Sequence, residues 1–197
     1  LSIKTGDIFY GYPIIGGFSE INLFSCQDVV LINTIAGSTS LRRKTTDYFL
    51  QLNYKFTNII HPSVNISHVE LGCGNLIYDN VMLHPFVSIG SHNVISSCSG
   101  LAHESRLGDY VFIGPASYIC GKCDVGSGAY IGVGAKILPR LRVGIDSIIG
   151  AGSIVTASVP DSEKHFGIPA RTPQSHAFTY LDFEQAAKTY GKVGGVA

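Results

Sequence analysis

The chain has 197 residues, 45% of them hydrophobic and 14% charged, with 14 basic and 14 acidic side chains and a formal net charge of +0. Such a balance lacks the basic footprint that nucleic acid or an anionic membrane surface requires, and no apolar run approaches the ~20 residues needed to span a bilayer. Its 5 cysteines show no framework spacing, which argues for a reducing, cytoplasmic setting.

Residues 1–58 read as a partial α/β unit. Asp28-Val-Val-Leu-Ile32 has the pattern of a buried strand. Ser38-Thr-Ser40 can cap a helix whose apolar face is Leu41, Tyr48, Phe49 and Leu52. Lys55-Phe-Thr-Asn-Ile-Ile60 is a second strand, and His61-Pro62 marks a handover to something different. Strand, helix, strand is a βαβ-type fragment. Because no Gly-rich first turn precedes it, it reads as the back half of a Rossmann-like domain for a sugar nucleotide.

From Leu71 to Val155 every sixth residue is Leu, Ile or Val. With such residues at about a quarter of positions, a run of this length arises by chance about once in a billion. Gly often follows the aliphatic residue, as at Gly90, Gly114 and Gly132, and a small or β-branched residue stands four places on, as at Val87, Ser99, Val111 and Ser117. A period of six suits short strands joined by tight corners, with one large and one small side chain of each hexad pointing inward. Three hexads make one triangular coil, so residues 18 apart stack. At a strand spacing of roughly 4.8 Å the uninterrupted frame builds a prism on the order of 24 Å tall. Residues 59–175 are assigned to it. Pro160 to Arg171 is a Pro-punctuated exit, and residues 176–197 form a tail with one short helical pattern near Asp182–Lys188 and a Gly-rich end expected to be disordered.

His103-Glu104 is the sharpest chemical candidate. The two take the third and fourth places of the Leu101 hexad, at a corner where side chains leave the core and the chain bends enough for neighbours to meet. A histidine beside a carboxylate can serve as a general base, because the carboxylate fixes the tautomer and stabilises the imidazolium. The bland alternative is two solvated polar residues on a turn. His84 and His92 offer a metal site, but the γ-class carbonic anhydrases, which hold zinc on such prisms, carry a close His pair that is missing here, so no metal is expected. Cys120-Gly-Lys-Cys123 lacks a second pair and reads as core filling. Gly132-Val-Gly134 and Gly150-Ala-Gly152 are similar triplets one coil apart, so Val133 stacks on Ala151, with Pro115 and Pro169 expected in the same column. Flanking glycines let an extended ligand approach the backbone closely, as an added strand would.

From about Asp28 to Arg171 the chain resembles the bacterial nucleotide-sugar N-acetyltransferases of the bacillosamine and perosamine type, with sialic-acid O-acetyltransferases as relatives. The resemblance is carried by Ile59-Ile-His-Pro-Ser-Val64, Ser99-Gly-Leu-Ala-His-Glu104, Ile131-Gly-Val-Gly-Ala135, Ile149-Gly-Ala-Gly152 and Gly167-Ile-Pro-Ala-Arg171. It implies a left-handed parallel β-helix in a homotrimer, with active sites between subunits. It also implies His103 as catalytic base, Glu104 raising its basicity, and acetyl-CoA contacts at Val133 and Ala151, with Gly121 and Phe112 in the cofactor-binding set. Phe112 stands where the family has a histidine, so either backbone N–H groups polarise the thioester or the acyl pocket differs. Asn33 and Thr34 lie nearest the family's nucleotide-sugar contacts.

The expected activity is acetyl transfer from acetyl-CoA to the amino group of a nucleotide-linked amino-deoxy sugar, by direct attack with His103 as base and without a metal. Two other readings stay open at this point: a sugar O-acetyltransferase, and a non-catalytic or metal-binding prism.

Overall fold

The computed structural model describes residues 5–9 and 11–173; the tail helix and the Gly-rich end lie outside the described residues. Each hexad forms a two-residue strand that ends on its large aliphatic residue, as in Val94–Ile95, Gly100–Leu101 and Arg106–Leu107. Strands 18 residues apart pair in parallel and in register, with Val94 opposite Phe112 and Phe112 opposite Tyr130. The strands sort into one seven-stranded and two five-stranded sheets, which are the three faces of a parallel β-solenoid. This is the architecture expected of the hexapeptide class.

The core is the column of repeat residues. Ile95, Leu101, Ile113, Ile119, Ile131, Ile137 and Ile149 are all fully buried, as are the small residues four places on, among them Ser99, Ala129 and Ala135. A buried isoleucine contributes about 1.5–3 kcal/mol relative to an exposed one, so the stacked column dominates the stability of the prism. Buried serine hydroxyls donate to corner carbonyls, as Ser117 Oγ does to Gly132 O at 2.7 Å, and this satisfies them in a dry interior. At each corner the fourth hexad residue turns the chain in the left-handed region, with φ of 58° at Glu104, 60° at Lys122 and 69° at Gly134. In the early coils an asparagine ladder replaces the small residue. Asn75 and Asn93 are fully buried, and Asn93 Oδ1 accepts from Val111 N at 2.7 Å.

Ahead of the coils stand a hairpin of β1 (Ile8–Phe9) and β2 (Tyr12–Pro13), a 3-10 turn at Phe18–Leu23, then β3 (Val30–Leu31), α1 (Thr39–Gln51) and β4 (Lys55–Phe56). β3 and β4 pair in parallel, so the βαβ connection read from the sequence is present. Ser38 caps α1, its hydroxyl accepting from Leu41 N at 3.2 Å.

Three local expectations fail. The strand expected over Lys55–Ile60 divides between two sheets: β4 pairs with β3, whereas β5 (Ile59–Ile60) pairs with Leu76–Ile77 of the solenoid. The handover therefore falls between Phe56 and Ile59. The buried face of α1 is Arg42, Thr46 and Phe49, while Leu41, Tyr48 and Leu52 are exposed. The cause is that α1 docks on a corner of the solenoid that presents carbonyls. Arg42 donates to His92 O, Ile35 O, Tyr110 O and Val111 O at 2.7–3.1 Å. Finally, Lys164 pairs with Ile148, an offset of sixteen residues, so the exit coil is short and Pro169 does not continue the Val133–Ala151 column.

Candidate active site

The solenoid has three corners with different chemistry. At the first, Glu104 adopts φ 58°, which folds the chain back and sets His103 Nδ1 2.9 Å from Glu104 Oε2. Neighbours on an extended strand point to opposite faces; the left-handed corner removes that obstacle. The hydrogen bond from His103, with the nearby Lys122 cation adding to it, holds the Glu104 carboxyl below the usual carboxylate range. Both side chains are about half exposed. If Nδ1 carries the proton donated to Glu104, Nε2 keeps its lone pair free.

One coil further on, Gly121 lies against that nitrogen. A Cβ at position 121 would stand 2.6 Å from His103 Nε2 and 2.9 Å from Cε1. Glycine here leaves that edge of the imidazole uncovered. Its companion Lys122 brings Nζ to 3.4 Å from the same Glu104 Oε2 that His103 holds. Lys122 follows Glu104 by one full coil, so the 18-residue spacing already contained this contact, although it was not read from the sequence.

At the second corner Val133 and Ala151 stack, both exposed, with Ile131 opposite Ile149 in the adjoining strands. Gly134 and Gly152 adopt φ of 69° and 67° with nothing within 4 Å of where a Cβ would be. The same corner place elsewhere carries Asn80, Cys98 and Ala116 at similar φ, so glycine is not demanded by the turn. Among the described residues, the N–H groups of Val133 and Ala151 have no acceptor. The third corner differs. Its amides are capped by side chains of the next coil, Ser91 N by Asp109 Oδ1 at 2.7 Å and Asp109 N by Ser127 Oγ at 3.0 Å.

The remaining candidates separate from this arrangement. Phe112 is buried on the face beneath the N-terminal segment, stacked on Tyr130 at 4.6 Å and packed with Leu76, Val94, Ile32 and Ala36. Asn33 is buried and engaged internally: its Nδ2 donates to Arg42 O and Thr46 Oγ1 and its Oδ1 accepts from Ile35 N, which leaves Thr34 as the exposed member of the pair. Cys123 is buried, its thiol directed at Leu138 O, and burial pushes that thiol's pKa up, which suits core filling rather than redox chemistry. His84 stands 3.4 Å from the Tyr118 hydroxyl, whereas His92 is buried between Phe56 and Tyr110 at another corner.

No protein-family model and no curated protein sequence matches the chain. Solved structures do. PerB from Caulobacter crescentus, in complex with CoA and GDP-perosamine, is 32% identical, with 83% of this chain and 80% of that chain covered at a TM-score of 0.79. A perosamine N-acetyltransferase variant from the same organism is 30% identical over 87% of this chain and 82% of that one, at a TM-score of 0.81. The chain belongs to the bacterial nucleotide-sugar N-acetyltransferase family. WeeI from Acinetobacter baumannii is more distant at 25% identity and a TM-score of 0.72, with 86% and 82% of the two chains covered. The acetyltransferase domain of PglB from Neisseria gonorrhoeae, 23% identical over 87% and 83% of the chains at a TM-score of 0.81, shares the fold.

Within this N-acetyltransferase, sequence reasoning located the His-Glu corner and the glycine-flanked column but missed Arg42, which joins the N-terminal segment to the coils. A buried arginine gives no hydropathy signal. The hint lies in its spacing to Thr46 and Phe49 at i+4 and i+7 along one helix face.

Proposed function

We propose that the chain transfers the acetyl group of acetyl-CoA to the amino group of a nucleotide-linked deoxy-sugar. The observation that carries the reading is the His103 Nδ1–Glu104 Oε2 contact of 2.9 Å beneath an uncovered Nε2. The binding of CoA and GDP-perosamine by the Caulobacter crescentus relative supports the substrate class. The neutral amine attacks the thioester carbonyl carbon, and the π electrons move to the carbonyl oxygen. His103 Nε2 accepts the proton that the nitrogen sheds, and Glu104 stabilises the resulting imidazolium; general-base help of this kind is typically worth about 10²–10⁴ in rate. Main-chain N–H donors hold the oxyanion, with Gly121 beside Nε2 as our assigned donor. Collapse breaks the carbon–sulfur bond, and the thiolate takes the proton back from His103.

Val133 and Ala151, with their free N–H groups and flanking glycines, form the track for the pantetheine arm. That track and His103 occupy different corners of one prism, so the reading requires a homotrimer in which neighbouring subunits share each site. The sugar nucleotide is assigned to the N-terminal segment near Thr34. Because both cosubstrates are cytoplasmic metabolites, we place the protein in the cytoplasm; among the described residues no helix is long and apolar enough to cross a membrane.

The test is a thiol-release assay with acetyl-CoA and 4-amino-4,6-dideoxy sugar nucleotides, with the matching hydroxyl sugars as a second arm. His103→Ala is expected to lower kcat at least a hundredfold while CoA binding is retained. Full turnover in that variant refutes the mechanism, and preferential use of the hydroxyl sugar reassigns the enzyme as an O-acetyltransferase.

A further inference from the structure

We propose that Lys122 is a positioning residue for the His103–Glu104 pair, its ammonium holding the shared carboxylate oxygen and so setting the pH at which the base begins to work. The proposal rests on the acetyltransferase reading above and adds a residue to it. Lys122 Nζ and His103 Nδ1 approach one oxygen, Glu104 Oε2, at 3.4 and 2.9 Å. The cation and the imidazole therefore lie at most about 6 Å apart, near enough to couple even in a solvated site.

The contact is not needed to build the corner. Lys122 N donates to His103 O at 3.0 Å whatever the side chain does, and the equivalent corner bond recurs from Arg140 N to Gly121 O. An ion pair this exposed adds little to stability. Its lasting effect falls on the titrating neighbour. A carboxylate alone draws a proton onto the imidazole, and a protonated imidazole is no base. A lysine on the same oxygen offsets part of that charge and pins the carboxylate toward Nδ1.

The surroundings offer no substitute. On the coil before, Pro85 and Phe86 face the pair and carry no charge; His84 beyond them is directed to Tyr118. On the coil after stand Gly121 and Lys122, with Cys120 beside them, and on the pair's own coil Arg106 projects from the next face. The groups that act on Glu104 are His103 and Lys122.

The experiment compares pH–rate profiles of the unaltered protein, Lys122→Met and Lys122→Arg, using acetyl-CoA and the amino-sugar nucleotide, with an NMR titration of the His103 ring alongside. Lys122→Met is expected to move the acid limb up by about half a pH unit, a roughly threefold loss of rate on the acid side of the limb, with the plateau and both KM values unchanged. Lys122→Arg keeps the original limb, and 0.5 M salt moves the unaltered protein part of the way toward the Met variant. Coincident limbs for the Met variant and the unaltered protein, or an equal shift in the Arg variant, overturn the proposal. If the unaltered protein transfers nothing, the acetyltransferase reading falls, while the NMR midpoints still decide whether Lys122 governs His103.

Discussion

Arg42→Met isolates the joint between the N-terminal segment and the solenoid. Arg42 is 1% exposed and donates four hydrogen bonds to the carbonyls of Ile35, His92, Tyr110 and Val111, with no carboxylate in contact among the described residues. Burial pushes its pKa down to about 10, so it remains charged at neutral pH. Methionine fills the volume of the stem but leaves the carbonyls of Ile35, His92 and Tyr110 without that donor, while Val111 O keeps its bond from Val94 N. At about 1 kcal/mol for each of the three, moderated because desolvating a guanidinium is no longer required, undocking of α1 should become easier by roughly 2–3 kcal/mol. Hydrogen exchange across residues 39–51 should accelerate by about 30–100-fold, since each 1.4 kcal/mol is tenfold. Exchange in the coils from Leu101 to Val155 should not change, because those bonds run between coils. An α1 that exchanges within threefold of the unaltered protein would show that Arg42 does not hold the joint.

Three further outcomes follow from single positions. Gly121→Ala should lower kcat at least tenfold without moving Tm, because the new Cβ crowds His103 Nε2 while the backbone there needs no left-handed φ; steady-state kinetics beside a thermal melt checks it. Gly134→Ala should raise KM for acetyl-CoA severalfold and cost at most about 1 kcal/mol of stability, since Ala116 adopts the same conformation one coil earlier; an unchanged KM removes Gly134 from the cofactor track. His92 should make stability acid-sensitive: burial lowers its pKa, with Asp109 and Asp47 opposing and Arg42 assisting, so the unfolded chain binds the proton more readily. The stability is present above the unfolded value near 6.5 and is lost as pH falls through the folded one. Urea midpoints at pH 5 and 7.5 should converge in His92→Phe, whose ring fits between Phe56 and Tyr110.

The prism was legible because its period is a purely local property. A large aliphatic residue every six positions specifies inward direction, strand length and stacking partner together, and the observed pairing of Val94 with Phe112 uses no other information. The His103–Glu104 contact was legible for a related reason, since the hexad frame states which places are corners. Features set by a partner surface were not. The buried face of α1 follows the carbonyls of His92, Tyr110 and Val111, and hydropathy cannot anticipate an arginine drawn inward by backbone. The split of Lys55–Ile60 between two sheets, and the asparagine ladder through Asn75 and Asn93, likewise answer to neighbours remote in sequence. Lys122 belongs to neither group: the coil length alone placed it beside Glu104.

The three corners of the solenoid differ less in shape than in whether their amides are already bonded. Where side chains of successive coils cap the corner, the N–H groups of Ser91 and Asp109 are satisfied, and that corner carries α1 through Arg42, the Asp47–Tyr110 bond of 3.1 Å and the Arg43–Asp146 ion pair. An unbonded amide is tolerable only where water or a ligand can reach it. Among the described residues, Val133 and Ala151 keep their N–H groups unbonded at an exposed corner, and the His103 corner keeps an imidazole edge uncovered above a glycine. The pattern separates a supporting corner from the two to which the proposed mechanism assigns chemistry. The two corners point apart on one rigid prism, so the mechanism proposed above draws them from adjacent copies of the chain.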